Sequence, residues 1–363
     1  MTDRIRVLYA LGTRPEFIRS AAVLQALRER SDVELVTVDT GQHYDRNMAA
    51  GFVEELGLPE FQRTVHTRGL RPHEQIGLIT STVGRHVVDF QPSCVCVFGD
   101  TNSTLGAAIG AMAAGCPVVH IEAGARSFDA SMPEELNRRM VDHCADLLLT
   151  VSSNCTSNLL RERVPGSVVE VGDPLYEVFL GEWKRSSTAD TTRAIDQSRC
   201  CLLTLHRRAL LENRAMLKLV LDSVSELAIE ESLEVFFPLH PHTERVLNEY
   251  RIQFGPGITP TAPLLYGAMI KILRSTALVI TDSGGLQKEA FWAGRPCVTL
   301  RPNTEWRETI DAGANCLADA AALGRVSREM LRRTLSEAHG ITDPYHGLGS
   351  SVRIAAAIAE RYV

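Results

Sequence analysis

The stretch Ala277–Glu308, ALVITDSGGLQKEAFWAGRPCVTLRPNTEWRE, constrains the fold of this chain more than any other. It opens with four apolar residues, Ala277–Ile280, which have the length and character of a buried strand. Thr281-Asp282-Ser283-Gly284-Gly285 follows, and then a helical pattern with Leu286, Ala290 and Phe291 on one face. A turn at Gly294–Pro296 leads into a second short strand, Cys297–Leu300. Glycines where a strand turns into a helix let another group approach the backbone. The free N–H groups there, with the helix dipole, favour an anion such as a diphosphate. An ordinary tight turn would use the same glycines. Glu289 shifts the reading, because one and a half turns into the helix it is placed to take a ribose diol. The expected ligand is a nucleotide diphosphate bound through Ser283, Gly284, Gly285 and Glu289.

The rest of the chain repeats the strand-then-helix alternation. Ile5–Leu11 reads as a first buried strand, ending at Gly12-Thr13-Arg14-Pro15, with Pro15 in the first turn of a helix reaching about Arg30. Val33–Thr40 is a second strand, followed by Gly41-Gln42-His43-Tyr44-Asp45 and a helix. Further pairs run Ser93–Phe98 into Thr101–Ala114, Pro117–Glu122 into a helix from Pro133, and Leu147–Val151 into Asn154–Arg163, before Val168–Val171. Gly181–Ser198 is polar and reads as a linker with room for a short helix, after which the pattern restarts at Cys200–Leu205. The fold class expected is α/β: two Rossmann-like doubly wound parallel-sheet domains around a central cleft. The boundaries are 1–176 and 177–349, with the helix at 350–363 reaching back to the first domain. At 363 residues the chain has room for two such domains of about 150–180 residues.

Composition narrows the partners. A net charge of −6 argues against nucleic acid or an anionic membrane surface, so an anion must be held by local groups. Nine cysteines without a C-x-x-C pair read as buried thiols with neither disulfide frame nor zinc knuckle. No run approaches the ~18 apolar residues of a membrane span, and the expected location is the cytoplasm. His240-Pro241-His242 has no metal-ligand spacing, and no G-x-G-x-x-G follows the first strand, so neither a metal nor a bound dinucleotide cofactor is expected.

Polar residues gather where strands end. Arg14 follows the first strand, Asp100 follows Cys94–Phe98, and Glu122 follows Val118–Ile121. His206 ends Cys200–Leu205, and His240 ends Val235–Leu239. In the helix opened by Met132-Pro133-Glu134-Glu135-Leu136-Asn137-Arg138, Glu134 and Arg138 are i,i+4 neighbours on one face. Asp100, Glu122 and Glu134 then give three carboxylates around one cation, the setting in which one acts as base and another as acid. Arg14 and His206 suit a leaving pyrophosphate, since both donate to oxyanions.

The segments GTRPEFIR, TGQHYD, FGDTNSTLGAA, HIEAGARS, MPEELNR, LHRR, FPLHPH, ITDSGGLQKEA and TEWRE occur in an order that resembles the UDP-N-acetylglucosamine 2-epimerase family from residue 12 to about 315. The resemblance implies a GT-B-like pair of Rossmann domains, a homodimer, a UDP-amino sugar substrate and no redox cofactor or metal. It places Arg14, His206, Ser283, Gly284 and Gly285 at the diphosphate and Glu289 at the ribose. Asp100, Glu122, Glu134 and Arg138 fall around the amino sugar. In activated bacterial members a second substrate molecule binds near the counterparts of Gln42, His43, Arg208 and His240. Here Asp45 and the inserted Ala209-Leu210-Leu211 depart from that pattern. The activity implied is a non-hydrolysing 2-epimerase of UDP-N-acetylglucosamine, and SMPEE and TEWRE also resemble members acting on modified UDP-amino sugars. A hydrolysing relative, an epimerase of a modified UDP-amino sugar, a glycosyltransferase of the same fold and a UDP-sugar sensor are the competing readings.

Overall fold

A computed structural model describes residues 4–41, 55–58, 60–67, 69–188, 200–333 and 343–362. The chain divides into two units, Met1–Val178 with Pro344–Val363, and Phe179–Asp343. Gln42, His43 and Asp45 lie outside the described residues.

The first unit runs β1 (Ile5–Leu11), α1 (Arg14–Arg28), β2 (Val33–Asp39), β3 (Arg63–Thr64), α2 (Pro72–Phe90), β4 (Cys94–Phe98), α3 (Asn102–Ala113), β5 (Val118–Ala123), α4 (Pro133–Cys144), β6 (Leu147–Thr150), α5 (Ser153–Glu162) and β7 (Ser167–Glu170). Its strands are all parallel and lie in the order β3-β2-β1-β4-β5-β6-β7. Each central strand is apolar on both sides, because helices cover both faces. Alternation then decides which face a residue joins. Ile5, Val7, Tyr9 and Leu11 pack with Phe17, Leu24 and Leu27 of α1, while Leu8 and Ala10 pack with Ile79, Val83, Leu105 and Ala108 of α2 and α3. Proline opens α1, α2 and α4 where a missing N–H costs nothing, and Thr13 and Glu16 close a reciprocal capping box at the start of α1.

The helix in the expected linker is the second half, Gly181–Thr188, of α6 (Pro174–Thr188), and 189–199 lies outside the described residues. Phe179 and Trp183 are the reason. They are buried one turn apart, stack at 5.4 Å, and Phe179 also meets Trp292 at 5.6 Å. Arg274 lies over the Trp183 ring at 4.0 Å.

The second unit continues with β8 (Cys200–Thr204), α7 (Arg208–Leu211), α8 (Arg214–Glu230), β9 (Glu234–Pro238), α9 (Pro241–Tyr250), β10 (Ile258–Thr261), α10 (Tyr266–Arg274), β11 (Leu278–Thr281), α11 (Gly284–Trp292), β12 (Cys297–Thr299), α12 (Arg307–Asp311), β13 (Asn315–Leu317) and α13 (Leu323–Leu331). Its sheet, also parallel, has the order β10-β9-β8-β11-β12-β13. Both sheets therefore reverse direction of growth beside their first strand, at β1/β4 and at β8/β11. Among the described residues no helix is long and apolar enough to cross a membrane.

The chain returns to the first unit through α14 (Ser350–Tyr362), whose Ile354 and Ile358 are fully buried in the core beside α1. Glu177 accepts from the Ser351 N–H at 2.8 Å and from its hydroxyl at 2.5 Å, an acid at the positive end of α14. Truncating Ile358 to alanine leaves a cavity under α1 and is expected to cost about 2–5 kcal/mol. Differential scanning calorimetry should show a lowered transition for the first unit, with the second unit's transition unmoved.

Candidate functional site

In the first unit β1 leads into α1 on one face of the sheet and β4 into α3 on the other, which opens a crevice at the carboxyl ends of the two strands. Glu16 ties the two turns together. One of its oxygens accepts from the N–H groups of Gly12 (2.7 Å) and Thr13 (2.8 Å), the other from the hydroxyls of Thr101 (2.5 Å) and Thr104 (3.1 Å). Burial pushes its pKa up, and the bonds from Thr101, Gly12 and Thr13 pull against that. Gly12 is required here, because a Cβ would stand 1.7 Å from the Thr40 hydroxyl. Arg14, the first residue of α1, is half-buried beside this turn.

Two carboxylates at this edge each have their own guanidinium. Asp100, just past β4, pairs with Arg138 of α4, and Glu122, in β5, pairs with Arg19 of α1. Arg19 lies within electrostatic reach of Asp100 and Glu16 as well. Burial works against its charge, and Glu122, Asp100 and Glu16 outweigh it and hold its pKa above the ordinary value. Asp100 and Glu122 thus come together as expected from the strand ends, through a cation that sequence reasoning missed. Glu122 owes its direction to the backbone. Its φ is +67°, and the β5–β6 register slips between Ile121 and Ala123, so Glu122 is an inserted residue in a conformation that costs of order 1–3 kcal/mol.

The helix-face expectation for Glu134 and Arg138 needs correction. The acid packed against Arg138 is Glu135, at 3.4 Å and i,i+3, and it also accepts from the Ser127 N–H (2.8 Å) and hydroxyl (3.0 Å). Glu134 is half-buried on the first turn of α4, with no hydrogen bond or ion pair among the described residues. The preceding loop bends back over Glu135 through Ser127, which sets the i,i+3 acid against Arg138 and leaves Glu134 half-buried at the helix start.

Behind these groups lies a fully buried polar cluster. His120 of β5 donates from Nε2 to the Gly99 carbonyl (2.8 Å) and from Nδ1 to Asp142 of α4 (2.7 Å). Asp142 also accepts from Arg126 (2.7 Å) and from the Gly124 N–H (3.3 Å), and Arg126 makes a bidentate pair with Glu162 at 2.9 and 2.8 Å. Burial raises the pKa of the Asp142 carboxyl, and the charges and bonds of His120 and Arg126 more than reverse it, holding it below the ordinary range.

In the second unit the corresponding edge carries His206, just past β8, and Asp282, just past β11. Asp282 is fully buried and accepts from His206 Nδ1 (2.8 Å) and from the N–H groups of His206 (2.9 Å) and Arg207 (2.9 Å). A carboxylate only accepts, so Nδ1 carries the proton and Nε2 is the nitrogen left for a ligand; the His206 side chain is 46% exposed. Burial opposes the Asp282 charge, but His206 and the two N–H groups hold its pKa below the ordinary range. Ser283 caps α11, and its hydroxyl accepts from the Leu286 N–H at 3.5 Å. Beyond it a Cβ on Gly285 would meet open space, while one on Gly284 would sit 3.3 Å from the Trp306 indole nitrogen. Glu289 lies on the buried side of α11, and Lys288, fully buried, stands 3.7 Å over the Trp306 ring. His240 is the exposed cap of α9, its Nδ1 accepting from the His242 N–H, and Arg208 is exposed at the start of α7, the short helix formed by the inserted residues.

A group whose folded pKa is depressed adds stability above the ordinary carboxylate range, and that stability is lost as pH falls through the folded value. Asp282→Asn is therefore expected to destabilise the second unit by about 1.5–3 kcal/mol near neutral pH. The gap to the natural protein should narrow as pH is lowered below the ordinary carboxylate range, about 4. Thermal melts of both proteins across that range provide the check.

The model of the UDP-N-acetylglucosamine 2-epimerase family matches residues 25–359. The UDP-2,3-diacetamido-2,3-dideoxy-D-glucuronate 2-epimerase of Pseudomonas aeruginosa is 34% identical over 361 residues, which cover 98% of this chain and 100% of that protein. The UDP-N-acetylglucosamine 2-epimerase of Methanocaldococcus jannaschii is 34% identical over 317 residues, 85% of this chain and 86% of that one. The crystal structure of the M. jannaschii UDP-GlcNAc 2-epimerase in complex with UDP-GlcNAc and UDP superimposes with a TM-score of 0.90 at 31% identity, covering 98% of this chain and 99% of that one. Two parallel α/β units in one chain, the GT-B-like arrangement, are common to both. With the family model spanning most of its length, the chain belongs to the UDP-N-acetylglucosamine 2-epimerase family.

Proposed function

We propose that the protein is a non-hydrolysing 2-epimerase that interconverts UDP-N-acetylglucosamine and UDP-N-acetylmannosamine. The observation that carries this reading is the pair of carboxylates, Asp100 and Glu122, each ion-paired with an arginine at the neighbouring ends of β4 and β5. Epimerisation at C2 asks for two proton-transfer groups and a leaving group at C1. One carboxylate removes the C2 proton while the C1–O bond breaks, and the electron pair leaves with UDP to give 2-acetamidoglucal. UDP oxygen then re-adds at C1, and a proton reaches C2 from the opposite face. Asp100, Glu122 and Glu134 supply the proton chemistry, and Arg138 orients Asp100.

Holding the leaving diphosphate falls to Arg14, to His206 and to the N–H groups at the start of α11 behind Ser283, Gly284 and Gly285. With Nδ1 held by Asp282, His206 Nε2 is the nitrogen that meets a diphosphate oxygen as negative charge builds there. Glu289 takes the ribose. The chain acts as a homodimer in the cytoplasm.

A second reading concerns the sugar. The Pseudomonas relative aligns over the whole of both chains, which favours UDP-2,3-diacetamido-2,3-dideoxy-D-glucuronate as the natural substrate with the same C2 chemistry.

Proton NMR of the purified protein in D₂O with each UDP-sugar in turn tests both readings. The expected product is the C2 epimer carrying deuterium at C2, formed faster from the natural substrate. Free N-acetylmannosamine with UDP would replace the proposal by the hydrolysing reaction. Turnover of neither sugar, with UDP still bound, would point to a transferase or a sensor. Asp100→Asn and Glu134→Gln are each expected to lower kcat about 10²–10⁴-fold. Near-full turnover in both would overturn the carboxylate assignment.

A further inference from the structure

We infer that His120 and Asp142 are positioning residues for the epimerisation chemistry, holding Asp100 and Glu122 in one geometry from behind the site. The inference rests on the proposed reaction, and it concerns residues that no step of that reaction touches.

Both residues have no exposed surface, so neither meets a substrate. Their bonds end on the two turns that carry the reactive carboxylates. On one side, His120 Nε2 donates to the Gly99 carbonyl, and Asn137 Nδ2 donates to the next carbonyl, that of Asp100, at 2.9 Å. Two consecutive carbonyls pinned by buried side chains fix the peptide planes on both sides of the Asp100 Cα, and with them the direction of its side chain.

On the other side, Glu122 sits between His120 and Gly124, and Asp142 holds both neighbours. It takes the Nδ1–H of His120 and the N–H of Gly124. Gly124, at φ +81°, is further pinned by Asn158, which donates to its carbonyl at 3.0 Å. The left-handed backbone of Glu122 is thus anchored two residues before and two residues after. The turns meet across Gly99, where a Cβ would lie 3.4 Å from both Arg19 Nη1 and Glu122 Oε2.

Both ring nitrogens of His120 face acceptors, the Gly99 carbonyl and the Asp142 carboxylate. Asp142 is shared with Arg126, whose guanidinium also pairs with Glu162. Side chains braced on several partners are rigid, and rigidity is what a two-carboxylate site needs, since a displacement of about 1 Å can cost 10²-fold in rate.

His120→Leu removes both bonds; His120→Gln keeps an N–H donor near the Nε2 position. For the reaction measured on the natural protein by NMR, His120→Leu is expected to lower kcat about 10²-fold. KM and the Kd for UDP, whose proposed ligands other than Arg14 lie in the other unit, should stay within about threefold. His120→Gln should recover at least about tenfold of the loss. Folded variants that both retain kcat within about threefold overturn the inference, as does a loss of UDP affinity in step with kcat. If neither His120 variant folds, Asn137→Ala decides. A drop of about tenfold in kcat at unchanged UDP affinity supports the pinning of the Asp100 turn, and natural kcat refutes it. Absence of turnover in the natural protein would instead defeat the proposed function and is read from that control.

Discussion

Every strand in both sheets runs the same way, and this constraint shapes the rest of the molecule. A parallel strand must be reached by a crossover, so all its carboxyl ends collect at one edge while helices cover both faces. Residues far apart in sequence then become neighbours without long loops. Arg19 meets Glu122, and Arg138 meets Asp100, because each stands at the end of a strand or the start of the helix that follows. The same rule brings His206 to Asp282 across the β8/β11 reversal. Where the order of strands reverses, helices leave to opposite faces and the edge opens. Charge can be gathered there with water still within reach.

Burying charge is costly unless it is compensated, and the protein compensates it in pairs. Asp100 pairs with Arg138 and Glu122 with Arg19, and Arg19 lies within electrostatic reach of both carboxylates. Asp142 and Asp282 are treated differently. Each accepts bonds from several donors and is held below the ordinary carboxylate range, so neither is a candidate to take a proton at neutral pH. The division separates groups that can react from groups that hold them. It also accounts for the left-handed Glu122: the strain there is small beside what the surrounding bonds supply.

Much of this was legible in the sequence. The central strands declared themselves as short apolar runs followed by glycine turns, because a strand covered on both faces has no polar side to show. What escaped were the edges. The segments β3, β10 and β13 are two to four residues long, carry Arg, Pro or Asn, and are covered on fewer sides. Pro260 is tolerated in β10 because that strand pairs on one side only, with β9. Gly181–Thr188 read as linker since its polar residues outnumber Trp183, whose aromatic and cationic neighbours are invisible in one dimension. Among site residues, strand-end carboxylates could be named from position. Arg19, Asp142 and Asp282 could not, because a charge inside a helix or beside a serine looks solvated until its partners are known. The choice of Glu134 over Glu135 as the neighbour of Arg138 failed for a related reason. Helical spacing gives two candidate partners, and the bend of the loop before α4 selects between them.

The division between reacting and holding groups bears on how one family serves more than one sugar. Exchange of configuration at C2 demands the same things of any 2-acetamido sugar: a base, an acid, and a diphosphate that can leave and return. None of these depends on what is attached at C3 or C6. The residues proposed to meet the demands sit on strand ends braced by buried networks, and such positions resist change because each holds several others. Groups that discriminate a hydroxymethyl from a carboxylate, or a hydroxyl from a second acetamide, belong on surfaces free of that bracing. A relative named for a diacetamido glucuronate and another named for UDP-N-acetylglucosamine can therefore share this framework at the same identity, 34% in each case. Overall identity reports the framework, and the sugar has to be read from turnover.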